Sequence, residues 1–113
     1  MQYIDLPISG GVFQYNRISV SSNYSVNTSD NYIGCDASLG ALTLQLPKAS
    51  ALNSGRCIVI KDEGGSSSNV LTRVFVAPQG TDKIDGINST LSLLADHESI
   101  TLVCNGVDEW FII

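Results

Sequence analysis

The sequence predicts an all-β domain of short antiparallel strands packed as a compact sandwich, and three observations carry that expectation. Apolar residues recur with a period of two, as where Leu42, Leu44 and Leu46 alternate with Ala41, Thr43 and Gln45, which lines one face of a strand with leucine. Clusters of Gly, Pro, Asn, Asp and Ser break the chain every 8–12 residues or so into about eight to ten such runs. No long window has helical periodicity. At 113 residues there is room for one domain.

The elements follow in order. Met1 to Gly11 reads as a connector punctuated by Pro7 and Gly10-Gly11. Val12–Val20 is a first strand and Tyr24–Val26 a short second one, separated by the turn residues Ser21, Ser22 and Asn23. Residues 1–23 thus form a leading segment, and 24–113 the β-rich domain. After a turn at Thr28–Asn31, Asn31–Cys35 is a strand, and Ala37–Gly40 turns into the leucine strand. Pro47 has no N–H to offer a ladder and closes that strand. Lys48–Asn53 has room for one helical turn, closed by Gly55. Arg56–Lys61 is the next strand. Asp62 to Asn69, DEGGSSSN, reads as a long flexible loop. Val70–Val76 follows as a strand with Arg73 at its centre, either facing a carboxylate across an interface or exposed beside a neighbouring strand. Pro78–Gly80 turns the chain, and Asp85-Gly86 marks a tight turn. Thr90–Leu94 is a short strand, and Ala95–Glu98 the turn after it. Ser99–Cys104 and Glu109–Ile113 form a hairpin about Asn105-Gly106.

Two of these strands are apolar on both sides. Cys57 and Val59 point one way in Arg56–Lys61, and Ile58 and Ile60 the other. A strand of that kind is covered on both faces, and in so short a chain a second copy is the expected cover. The terminal run Trp110-Phe111-Ile112-Ile113 makes the same demand, at about 1.5–3 kcal/mol for each large side chain fully buried. The residues expected to carry core packing and assembly are Leu42, Leu44, Leu46, Ile58, Ile60, Ile100, Leu102, Trp110 and Ile112.

Composition excludes several functions. The net charge is −5, and the six Lys and Arg are scattered with no two adjacent, so no basic patch exists for nucleic acid or an anionic membrane surface. No apolar run reaches the roughly 20 residues of a membrane helix, and the opening MQYIDLPISGG lacks the basic and apolar regions of a signal peptide. Cys35, Cys57 and Cys104 all lie in apolar runs and read as small buried hydrophobes of a protein made under reducing conditions. Their spacing, with one histidine, does not resemble a zinc site.

The chemistry-bearing residues point away from catalysis. His97, between Asp96 and Glu98, reads as a solvated turn residue rather than half of a proton-transfer pair. No nucleophile elbow surrounds any serine. Asp62, Glu63, Asp82 and Asp85 could offer oxygens to calcium, but without calcium-loop spacing. No spacing argues for the paired acids of a glycosidase. Gly64-Gly65 is no phosphate cradle, because neither a Lys-Ser/Thr pair nor a helix follows it. Asn23, Asn27 and Asn88 open glycosylation-type triplets that arise by chance in a Ser/Asn-rich chain. No cofactor, metal or catalytic residue is expected. A surface sugar site would use aromatic faces with short polar side chains, which makes Tyr3, Tyr15, Tyr24 and Tyr32 candidates by type.

An ordered set of short motifs covers about ninety residues: Asp30–Cys35, the D-x-S-x-G turn Asp36–Gly40, Leu44-Gln45-Leu46-Pro47, Gly55-Arg56 before Ile58-Val59-Ile60-Lys61-Asp62, Ile84-Asp85-Gly86, Ser99–Val103, Asn105-Gly106 and Trp110-Phe111-Ile112-Ile113. In this order and spacing the chain resembles a β-rich module of bacteriophage tail fibres, tail spikes and related viral fibre proteins. The resemblance implies a prism-like homotrimer about a three-fold axis, a place in the virion after synthesis in the host cytoplasm, and residues 1–23 leading from an upstream shaft. It also implies a non-enzymatic role as a cap or as a receptor-binding head for a cell-surface glycan or protein. The competing expectations are a monomeric, calcium-dependent carbohydrate-binding module of a secreted protein and a small polysaccharide-degrading unit.

Overall fold

The structure, a computed structural model, describes residues 14–113. Tyr3, the connector expected over residues 1–11 and the first residues of the strand expected at 12–20 lie outside them. Among the described residues ten strands are present: β1 (Arg17–Val20), β2 (Tyr24–Ser25), β3 (Tyr32–Cys35), β4 (Leu42–Gln45), β5 (Cys57–Asp62), β6 (Val74–Ala77), β7 (Lys83–Ile84), β8 (Leu91–Ser92), β9 (Ser99–Cys104) and β10 (Glu109–Ile112). They form a six-stranded sheet in the order β1-β3-β5-β9-β10-β7 and a four-stranded sheet in the order β2-β4-β6-β8.

The all-β class and the two sheets are as expected, but the strand direction is not. Five strand pairs are parallel and three antiparallel. The pairs β1-β2, β3-β4 and β5-β6 are three successive coils of a solenoid. In each coil the chain runs along one sheet, turns a corner and runs along the other, so equivalent strands stack in parallel. The coils differ in length: Arg17 lies against Tyr32, but Tyr32 lies against Val59. No fixed period therefore exists for a sequence repeat to follow. β1 pairs with β3, so a boundary at residue 24 falls within the first coil. After the third coil β8 joins β6, β9 joins β5 and β10 joins β9, all antiparallel.

Stacking puts like rows side by side. Ile18, Ile33, Ile60 and Ile100 form one inward row of the larger sheet, and Ile58, Leu102 and Ile112 another. Leu42 and Val74, with Leu44 and Val76, face them from the smaller sheet. Of the nine residues expected to pack the core and an assembly interface, Leu42, Leu44, Leu46, Ile58, Ile60, Leu102 and Trp110 are buried within one chain, and Ile100 and Ile112 pack against them half-buried. The demand for a second copy to cover them is thereby removed. One chain folded as a solenoid supplies both walls, because its inner rows face each other across the coil.

The outer side of the larger sheet is different. Cys57, Val103 and Phe111 lie side by side there, with Val59 in the next row, and Phe111 and Ile113 are exposed. Cys57 corrects the expectation of three buried cysteines: the period of two turns it outward, whereas Cys35 and Cys104 are buried. Burial, with Asp62 and Glu63 adding repulsion, pushes the Cys35 thiol up to about 12, so it is an inert packing group.

The turns follow their residues. Asp85 and Gly86 both take positive φ (48° and 82°), and Ile84 and Ile87 exchange backbone hydrogen bonds, the geometry an Asp-Gly hairpin requires. Asn105 Oδ1 accepts the N–H groups of Val107, Asp108 and Glu109 and so shapes the β9-β10 turn. Lys48 to Asn53 ends in a short 3-10 helix at Ala51–Asn53 before Gly55 at φ +75°. Two expectations fail in the third coil. Val70–Thr72 is a 3-10 turn, and the strand begins only at Val74. Arg73 sits between them and donates to the carbonyls of Ser67 and Ser68, not to a carboxylate.

The loop expected to be flexible is anchored at Asp62. This carboxylate is fully buried and accepts the backbone N–H groups of Gly65, Ser66 and Ser67, each at 3.0 Å, and of His97 at 3.2 Å. Ser66 and Thr72 then exchange hydroxyl-to-carbonyl bonds at 2.9 Å across the loop. The polar composition reads as mobility only while the acceptor for its N–H groups is unknown.

Candidate functional site

A surface cavity of about 340 Å³ lies where the first three coils meet the Asp62 loop, lined by Ser19, Val20, Ser21, Gly34, Asp36, Glu63 and Gly64. Parallel stacking builds it. β1 places Arg17 and Ser19 on the outer face of the larger sheet, and β3 places Tyr32 and Gly34 beside them. Glu63 follows the end of β5, and its N–H bonds the Cys35 carbonyl at 2.8 Å. The missing side chain at Gly34 opens the cavity: a Cβ there would stand 2.3 Å from Glu63 Oε1. A Cβ at Gly64 would meet Asp36 Oδ1 at 2.5 Å. Both glycines hold space for carboxylates.

A charged and aromatic network forms one rim. Arg17 pairs with Glu63 Oε1, donates to Ser19 Oγ at 2.8 Å and lies 5.6 Å from the centre of the Tyr32 ring. The Tyr32 hydroxyl donates to Glu63 Oε2 at 2.8 Å. The half-exposed ring of Tyr15 packs at 45° to Tyr32, 5.5 Å between centroids. The Arg17 hydrogen bond, together with that of Tyr32, holds the Glu63 carboxyl below its usual range, and burial opposes this. Ser38 does the same for Asp36, through its side chain and through its N–H, which donates to Asp36 Oδ1 at 3.0 Å.

A folded-state pKa held down for Glu63 means stability that is present above the ordinary carboxylate range and lost as pH falls through the folded value. Glu63→Gln is therefore expected to be less stable than the parent at pH 7, with the gap between them closing as pH is lowered toward 3. Urea denaturation of both proteins across that range checks the sign; a gap constant in pH would show that the ion pair contributes nothing.

The four candidate tyrosines separate here. Tyr32 reaches the cavity wall through its hydrogen bond to Glu63, and Tyr15 packs on Tyr32; neither ring is part of the lining. Tyr24 faces the core and donates to Asp30 at 2.6 Å, and Tyr3 lies outside the described residues. Sequence reasoning does not single out Arg17, Ser19 or Asp36 for binding, and considers Glu63 only among four acids weighed for calcium. A glycine inside a strand run, as at Gly34, was the available signal, because it marks a close approach by another group. None of the nine core residues lines the cavity.

The remaining acids are committed elsewhere. Asp82, fully buried, accepts Lys48 Nζ at 2.9 Å and Ala49 N–H at 2.7 Å. Asp85 Oδ1 accepts the Ile112 N–H at 3.0 Å. Among the described residues no three His, Cys, Asp or Glu side chains come together as metal ligands. His97 is exposed at positive φ (63°) in the turn before β9, where Glu98 N–H bonds the Ala95 carbonyl. Asn23 and Asn88 hold turns: Asn23 Oδ1 accepts Thr43 N–H, and Asn88 Nδ2 donates to the Gly80 and Asp82 carbonyls. Among the described residues no helix is long and apolar enough to cross a membrane.

The chain matches no protein-family model and no curated protein.

Proposed function

We propose that this chain is a non-enzymatic recognition module of a viral, phage-like fibre, binding a host-surface glycan at the cavity lined by Asp36 and Glu63. The observation that supports this reading best is an open cavity lined by two carboxylates and two serines, with the Tyr32 hydroxyl bonded to one of those carboxylates and the Tyr15 ring packed on Tyr32. Aromatic faces take the apolar side of a sugar ring, and carboxylates and hydroxyls take its OH groups. Cleavage finds no support in the same groups. A glycosidase needs one acid kept protonated by a raised pKa, and both Glu63 and Asp36 are held down.

The homotrimer belongs to this proposal, now with a different contact face. Its support is the outer strip of Cys57, Val59, Val103, Phe111 and Ile113, not the inner rows. Three weak sites on one particle would then act together. The placement in the virion, and a cap role in place of a receptor-binding one, are parts of the same proposal. A monomeric carbohydrate-binding module is the second reading, favoured by the way one chain covers its own core. Its calcium-dependent form has less support, since Asp62, Asp82 and Asp85 are taken by protein donors.

A glycan array combined with sedimentation equilibrium at micromolar concentration tests both levels. The expected result is a trimer that binds a subset of glycans, with Tyr15→Ala weakening binding about tenfold per site and leaving the melting temperature within a degree or two. A stable monomer that binds glycans would replace the fibre reading by the second one. A monomer that binds none would remove both.

A further inference from the structure

We infer that the ligand of this cavity is an uncharged oligosaccharide, recognised through its hydroxyl groups; the inference rests on the glycan-binding reading above and narrows its substrate class. The charged groups facing the cavity and its rim are Arg17, Lys61, Glu63 and Asp36. Both cations are already engaged. Arg17 spends its guanidinium on Glu63 and Ser19 Oγ and lies over Tyr32. Lys61, although opposite Gly34 across the sheet, turns its ammonium to the His97 carbonyl. A sialic or uronic acid carboxylate would enter beside Glu63 and Asp36, which line the cavity, whereas neither Arg17 nor Lys61 does, and like charges at this range cost binding. The chain's net charge of −5 acts in the same direction at long range.

An amine-bearing sugar is less well matched than a neutral one, because Glu63 is neutralised by Arg17 and only Asp36 would remain to pair it. The groups turned to the cavity are the Asp36 carboxylate and the Ser19 and Ser21 hydroxyls. A carboxylate accepts two OH donors side by side, which is how neighbouring sugar hydroxyls are presented. Recognition of this type is indifferent to salt, whereas recognition of a charged glycan is not.

The test is binding of the intact protein to immobilised neutral oligosaccharides (glucan and mannan fragments), anionic ones (sialylated and polygalacturonate fragments) and an amine-bearing one (chitosan fragments), each at about 50 and 500 mM NaCl. The expected result is binding confined to neutral members, with affinity changing less than about twofold between the two salts. Asp36→Asn, which keeps the side-chain shape and the bond to Ser38, should weaken it about tenfold; circular dichroism shows that this variant folds. Binding led by anionic or amine-bearing glycans that collapses at high salt would overturn this inference and leave the carbohydrate reading intact. Unchanged affinity in Asp36→Asn would also overturn it. Binding to no member of any class would instead remove the carbohydrate reading itself.

Discussion

Asp62→Ala is expected to destabilise the protein by about 2–4 kcal/mol, the cost of leaving buried backbone donors without their acceptor. Four backbone N–H groups share this carboxylate, and its neighbour Ser67 is fully buried with it. In the variant the Ser67 N–H has no acceptor in the interior, and an orphaned buried donor alone costs about 1–3 kcal/mol. Gly65 and His97 are less deeply placed and recover part of their loss from water. Asp62→Asn should cost about half as much, since its amide keeps one acceptor oxygen and turns an NH₂ toward the remaining donors. The effect extends to the site. Asp62 closes the loop that carries Glu63 and Gly64, so the alanine variant should also lose glycan binding and show fast amide exchange across residues 63–69. Urea denaturation with an unchanged m-value measures the first effect, and hydrogen exchange the second. A loss below about 1 kcal/mol with slow exchange retained would mean that the loop is held by other bonds, such as the Arg73 pair to Ser67 and Ser68 and the reciprocal Ser66–Thr72 pair.

Trp110→Ala is expected to cost about 3–5 kcal/mol through lost packing. Trp110 has no exposed surface; on β10 it stands between Cys104 of β9 and Ile84 of β7. Its Nε1–H donates to the Pro47 carbonyl at 3.2 Å, which ties the closing hairpin to the end of β4. Trp110→Phe keeps most of the apolar volume and loses that bond, so about 1–2 kcal/mol is expected. Because the indole is buried within one chain, its removal should lower stability at any protein concentration. A loss that appeared only as dissociation, with the monomer unaffected, would place Trp110 at a subunit interface and contradict this packing.

Local chemistry was legible wherever neighbours in sequence do the work. Asp85-Gly86 and Asn105-Gly106 are the turns their residues require, because positive φ and side-chain capping are decided within four residues. The leucine strand is buried at Leu42, Leu44 and Leu46 and half-exposed between them, as a period of two demands. The loop at Asp62 was misread for the opposite reason. Its composition is that of a mobile segment, but its acceptor meets His97 from a turn more than thirty residues away. Arg73 was placed in a strand because Val70–Val76 is apolar except at Thr72 and Arg73, and a run of that kind does not say where a 3-10 turn ends and a strand starts.

By itself the sequence determined the strand-forming stretches, the turns between them and which side of each strand is apolar, since all three depend on residues within a few positions of one another. Only the tertiary structure decided that these strands stack as coils, that Ile58 and Ile60 face leucines of the same chain, and that Asp36 and Glu63 meet at one cavity with Arg17 and Tyr32 bonded to Glu63. Strand order and direction are set by how far apart in the chain two strands pair. Coils of unequal length leave no period from which that distance could be read.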